Sequence, residues 1–171
     1  MPSRMKLRRW SGIVLNLTLA ALVISGAVIY VVHFKSPALE IRDSVSGRVY
    51  GKWPLDESGE FALEFVHSVH QSPVRETFGI EGRTIHKPGL WIRPLSVRFF
   101  SFGAGMQSDL QEGQTLSRDG NALLISGFNT SYRELNYIVG TVSDHLLFIS
   151  GETVSLRNLC GKNAHITLRI K

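Results

Sequence analysis

The feature that most constrains this chain is an uninterrupted uncharged run near its start. Residues 11–34 read SGIVLNLTLAALVISGAVIYVVHF, with no Asp, Glu, Lys or Arg. A helix needs about 20 apolar residues to cross a bilayer core, and this run supplies them. The preceding ten residues, MPSRMKLRRW, carry Arg4, Lys6, Arg8 and Arg9. Basic residues stay on the cytoplasmic side, so the sequence predicts a single span with its N-terminus inside and its C-terminus outside. A cleaved signal peptide has a shorter apolar core, about 7–15 residues, and a small-residue cleavage site. The run is too long and lacks a clean site, so a retained signal anchor is expected. The organisation is then a cytoplasmic tail at 1–10, a transmembrane anchor at 11–34 and an extracytoplasmic domain at 38–171. In a bacterium that places the chain in the inner membrane and its domain in the periplasm.

On a helix, Thr18, Ala21 and Ser25 form one stripe of small residues, which lets a neighbouring helix approach. Asn16 adds a polar group that gains from a partner in an apolar medium. These four residues are either a docking face for another membrane protein or ordinary features of a plain anchor.

The tail also decides how the charge is read. The net charge is +5, and residues 1–37 account for all of it through five basic residues and no acid. The rest of the chain is neutral. A nucleic-acid-binding domain shows a basic face on its folded part, so that class is excluded as an expectation. A lone cysteine, Cys160, rules out an internal disulfide and makes a cysteine-based zinc site implausible.

Beyond residue 38 the apolar positions alternate with period two, the mark of half-buried strands. The clearest runs are 60–69, 74–80, 90–100, 122–126, 135–141, 146–149 and 166–170. Gly, Pro and Asp-Gly signals punctuate them. The expected fold is all-β, an antiparallel β-sandwich or partly open barrel, preceded by one N-terminal transmembrane helix.

The segment HSVHQSPVRE, residues 67–76, concentrates chemistry. Pairing the flanking strands so that Leu63 faces Ile80 and Phe65 faces Phe78 sets His67 opposite Glu76 and Val69 opposite Val74. All eight then share one face. His67 and Glu76 become an ionisable pair among hydrophobics, close enough to hydrogen-bond. The pair is expected to lock the hairpin, with partner recognition as the live alternative and catalysis or metal binding behind both. Ser68 follows His67 and faces away in a regular strand, so it cannot serve as that histidine's nucleophile. His67 and His70 are three apart, which puts them on opposite faces and argues against a shared metal. His86, His145 and His165 show no ligand spacing. No catalytic residue, metal or cofactor is assigned.

A second unusual run, FFSFGAGM, spans residues 99–106. Gly103 and Gly105 permit a sharp turn, and successive N–H groups there could form an anion-binding nest. A tight turn between apolar flanks is the plainer reading.

Taken together, His67-Ser68-Val69, Pro73-Val74, Glu76 and Ser101-Phe102-Gly103-Ala104-Gly105 resemble the bacterial family called domain of unknown function 1850. Its members share a short N-terminal membrane segment, an H-S-V…P-V-x-E motif and a later F-x-S-x-G-A-G-like motif. Met106-Gln107 departs from the family's Leu-Pro-like continuation. The resemblance marks His67, Ser68, Pro73, Glu76, Ser101, Gly103 and Gly105 as interaction or structural positions. It implies an accessory protein, not an enzyme, of a TAXI-type tripartite ATP-independent periplasmic (TRAP) transporter. The implied partners are the transporter's permease and its soluble solute receptor. The alternatives are an anchored periplasmic enzyme or metal-binding protein centred on His67 and Glu76, and a free-standing ligand-binding β-sandwich.

Overall fold

The computed structural model describes Thr18 and residues 21–25, 37–68, 71–82, 89–101, 110–141 and 143–171. The chain divides into two compact units, Met1–Ser36 and Pro37–Lys171. Most of the expected membrane span, Asn16 included, lies outside the described residues. Thr18 and residues 21–25 are helical, and the Ser25 hydroxyl donates to the Ala21 carbonyl. Among the described residues no helix is long and apolar enough to cross a membrane.

The second unit is built from antiparallel strands, as the alternation predicts. Its elements are β1 (Ala38–Asp43), β2 (Val49–Pro54), β3 (Phe61–Val66), β4 (Pro73–Glu81), β5 (Trp91–Phe99), β6 (Thr115–Asp119), β7 (Ala122–Ser126), β8 (Glu134–Ile138), β9 (His145–Ile149), β10 (Glu152–Ser155), a short helix α1 (Leu156–Cys160) and β11 (His165–Ile170). One sheet has the order β2-β1-β11-β8, the other β10-β9-β3-β4-β5-β7-β6.

The two sheets share one core. Leu39, Ile41, Ile166 and Leu168 come from the smaller sheet, and Leu63, Phe78, Ile92 and Leu147 from the larger. All are at most 4% exposed. Each such side chain stabilises the fold by about 1.5–3 kcal/mol through removal of apolar area from water. A second, smaller core of Val74, Phe99 and Ile125 occupies another part of the larger sheet, with Phe65, Val97 and Phe128 packed on it.

Local chemistry explains the connections. The β9–β10 turn needs two left-handed residues, and Ser150 (φ 48°) with Gly151 (φ 80°) provides them. Asp43 closes the β1–β2 turn by accepting from the N–H groups of Val45 and Ser46 at 3.0 and 2.7 Å. Helix α1 starts at Ser155, whose hydroxyl accepts from the Asn158 N–H at 3.0 Å. Pro94 tolerates an interior strand because the β4–β5 register shifts between Thr77 and Phe78, leaving Leu95 as the extra residue.

The outer side of the smaller sheet carries a row of alternating charge, Lys52, Glu40, Arg169 and Glu134, in register across four strands. Glu40 is only 2% exposed. Its carboxylate is bridged by Lys52 at 2.9 Å, Arg169 at 2.6 Å and Arg42 at 3.2 Å. Burial pushes this carboxyl up, but hydrogen bonds and charge from Lys52 and Arg169 outweigh it and hold it at about 2.

Candidate functional site at the β3–β4 hairpin

The β3–β4 hairpin corrects the expected register. Leu63, not His67, stands opposite Glu76, Phe61 stands opposite Phe78, and Phe65 stands opposite Val74. The expected pairing is displaced by four residues on one strand. A slip by an even number leaves strand side chains on their original face, so Leu63, Phe65, Val74, Glu76, Phe78 and Ile80 still share one face while their partners differ. The connection is accordingly six residues long, 67–72, rather than four. His67 closes it by its backbone: its N–H donates to the Ser72 carbonyl at 3.0 Å, and its carbonyl accepts from Gln71 at 2.9 Å. Gln71 takes up φ 48° to make the turn. His67 and Ser68 therefore lie beyond the end of β3, where strand alternation no longer separates them.

Both residues line the same cleft, of about 680 Å³. Glu64, Val66, Gln71 and Pro73 contribute from the hairpin, and Ser143, Asp144 and Leu146 from the start of β9 and the chain before it. Pro73 opens β4, where its missing N–H costs little. The Ser143 hydroxyl donates to the Val66 carbonyl at 3.2 Å, fastening the two rims together. Asp144 is fixed from behind: it accepts from the Ser155 hydroxyl at 2.5 Å and from the Arg157 N–H at 3.0 Å. Glu64 is held by Arg75 at 2.7 Å, and the Arg75 guanidinium lies 4.3 Å from the centre of the Phe148 ring. The cleft thus combines an apolar wall of Val66, Pro73 and Leu146 with carboxylates in set positions.

Glu76 belongs to a different group of residues. Along the inward side of β4 it falls between Val74 of the smaller core and Phe78 of the larger. Its carboxylate accepts from the Tyr137 hydroxyl at 2.6 Å, across from β8 of the other sheet. Burial pushes the Glu76 carboxyl up from its ordinary value, and the tyrosine hydrogen bond opposes this. Burial, then the charge of Glu76, raises the Tyr137 phenol. His145 stacks on Phe65 with centroids 5.0 Å apart and meets the edge of Tyr137 at 6.3 Å. Its Nδ1 accepts from the Gly140 N–H at 3.2 Å, and burial lowers its pKa.

The expected motif is therefore divided. His67, Ser68 and Pro73 gather at the cleft, while Glu76 turns to Tyr137. Ser101 follows β5 and is half-buried; Gly103, Gly105, His70 and Val69 lie outside the described residues. Among the described residues no group of three His, Cys, Asp or Glu is placed to hold a metal. Sequence reasoning missed Tyr137, Asp144 and the role of His145. Tyr137 had one signal, its place between Leu135 and Val139 on the apolar side of a strand. Choosing Glu76 as its partner required knowing which strands face each other.

A family model described as "Domain of unknown function (DUF1850)" matches residues 61–156. The match contains every strand of the larger sheet, but only β8 of the smaller one. No curated protein and no solved structure matches the chain.

Proposed function

Since the chain belongs to the DUF1850 family, we propose that it is a membrane-anchored periplasmic accessory protein that docks on a partner through the cleft at the β3–β4 hairpin. The partner is the permease or the soluble receptor of a TAXI-type TRAP transporter, the association that the motif resemblance implies. The uncharged run 11–34 behind a basic tail supports a single-pass anchor, N-terminus in and C-terminus out, in the inner membrane. Thr18, Ala21 and Ser25, with Asn16, supply the stripe that would meet a permease helix.

One observation carries this reading. The motif residues His67, Ser68 and Pro73 share a single open cleft whose rims are tied to each other and to helix α1. A preformed apolar hollow with fixed polar groups around it suits an anchoring side chain of a partner protein. The His67–Glu76 pair, on which an enzymatic or metal-binding reading rested, is not set opposite in the strand register.

The test is co-purification. Tagged chain extracted from native membranes in mild detergent should bring down the permease or the receptor. Ser68→Trp, which fills the cleft from an exposed position, should release it. Isolation of the unaltered chain with neither protein would sink the proposal.

A further inference from the structure

A second cleft, distinct from the one at the hairpin connection, lies where the chain passes from the larger sheet to the smaller. It holds about 240 Å³, room for about eight waters at about 30 Å³ each. The 127–133 connection between β7 and β8 brings Phe128 and Tyr132 to it, and β4 and β8 bring Glu76, Phe78 and Tyr137. Tyr132 is pinned in place, since its N–H and carbonyl both bond Ile92 of β5 at 2.7 Å. Four aromatic side chains and one carboxylate thus line the same cleft. Among the described residues lining the cleft, none is basic.

That combination selects for charge. Aromatic faces carry negative potential and attract cations, quaternary ammonium groups above all. The carboxylate adds direct attraction, and Tyr137 uses only one of its several acceptor positions. An anion would meet repulsion from Glu76. A purely apolar ligand would leave the carboxylate desolvated without return. Metal ions want three or more oxygen or nitrogen donors, and the cleft presents one carboxylate among rings.

We propose that the Glu76, Phe78, Phe128, Tyr132 and Tyr137 cleft binds a small organic ammonium group, free or as the headgroup of a lipid. The rings enclose the alkylated nitrogen and Glu76 balances its charge. This inference does not depend on the docking proposal, which concerns a different cleft.

The experiment titrates the full chain in a maltoside detergent, which carries no cationic headgroup, and follows aromatic ring resonances. The probes are choline, its neutral isostere 3,3-dimethylbutan-1-ol, and dihexanoylphosphatidylcholine below its micellar concentration. Choline or the phosphatidylcholine should saturate with a dissociation constant on the order of 1 mM, and the isostere should bind at least about tenfold more weakly. Choline binding alone assigns a free solute; phosphatidylcholine binding alone or in addition assigns a headgroup. Tyr132→Leu, at an exposed ring, and Glu76→Gln, which can still accept from Tyr137, should each weaken binding about tenfold with the amide spectrum otherwise retained. Absence of saturation by either ammonium probe, equal affinity for the isostere, or indifference to Tyr132→Leu would overturn the proposal.

Discussion

The Tyr137 hydroxyl donates a 2.6 Å hydrogen bond to the carboxylate of Glu76, and this contact joins β8 of one sheet to β4 of the other. It places the acid of the HSV…PVxE motif between two hydrophobic cores. Tyr137→Phe removes the donor and keeps the ring. It should cost about 1–3 kcal/mol, because a partly buried charged acceptor loses its partner. Glu76→Gln keeps an acceptor and sheds the charge, so it should cost less. Urea denaturation of the two variants checks the order.

Glu40 and Glu76 should act oppositely with pH. Glu40 is held at about 2 against an ordinary 4.5. Its contribution is present above the unfolded value and is lost as pH falls through about 2. Glu76 is raised. Its contribution is intact below the unfolded value and is lost as pH rises through the folded one. Thermal melts of Glu40→Gln should therefore show a flattened acid limb, and melts of Glu76→Gln a weaker decline above the ordinary carboxyl range.

Glu40→Gln also leaves Arg42, Lys52 and Arg169 without their common anion. Removing one member of a buried ion network typically costs 3–5 kcal/mol, but water screens these three cations at the sheet surface. A loss of about 3 kcal/mol is expected in the neutral-pH urea midpoint.

Seven strands were readable by period two, and four were not. Strand β6 is exposed at all five positions, so no burial pattern marks it. Strand β10 has four residues and one apolar side chain, too few to show a period. In β2, Gly51 and Pro54 interrupt the pattern, and the Trp53 ring covers the space a Cβ at Gly51 would fill. In β1, Leu39 and Ile41 point to the core, while Glu40 is buried on the opposite side under its three cations, a feature only the neighbouring strands reveal. The hairpin register failed for a sharper reason. Alternation specifies faces and is blind to even slips such as this one of four, and the choice was made by the turn, where His67 and Ser72 close six residues. The same slip separated His67 from Glu76 and brought His67 and Ser68 to one cleft.

The cleft rim depends on a helix cap. Ser155→Ala deletes both the bond to the Asn158 N–H and the bond to Asp144. It should lower stability by about 1–2 kcal/mol. It should also loosen Asp144, read as faster amide exchange at residues 143–146 than in the unaltered chain.

The central claim, that the hairpin cleft is a docking surface, is tested most directly by photocrosslinking in native membranes. A benzophenone side chain at Val66 or Ser68, both exposed at the cleft, should capture the transporter's permease or its receptor. The same group at exposed Lys162, in the turn before β11, should not. Equal capture from Lys162, or none from the two cleft positions, would contradict the account.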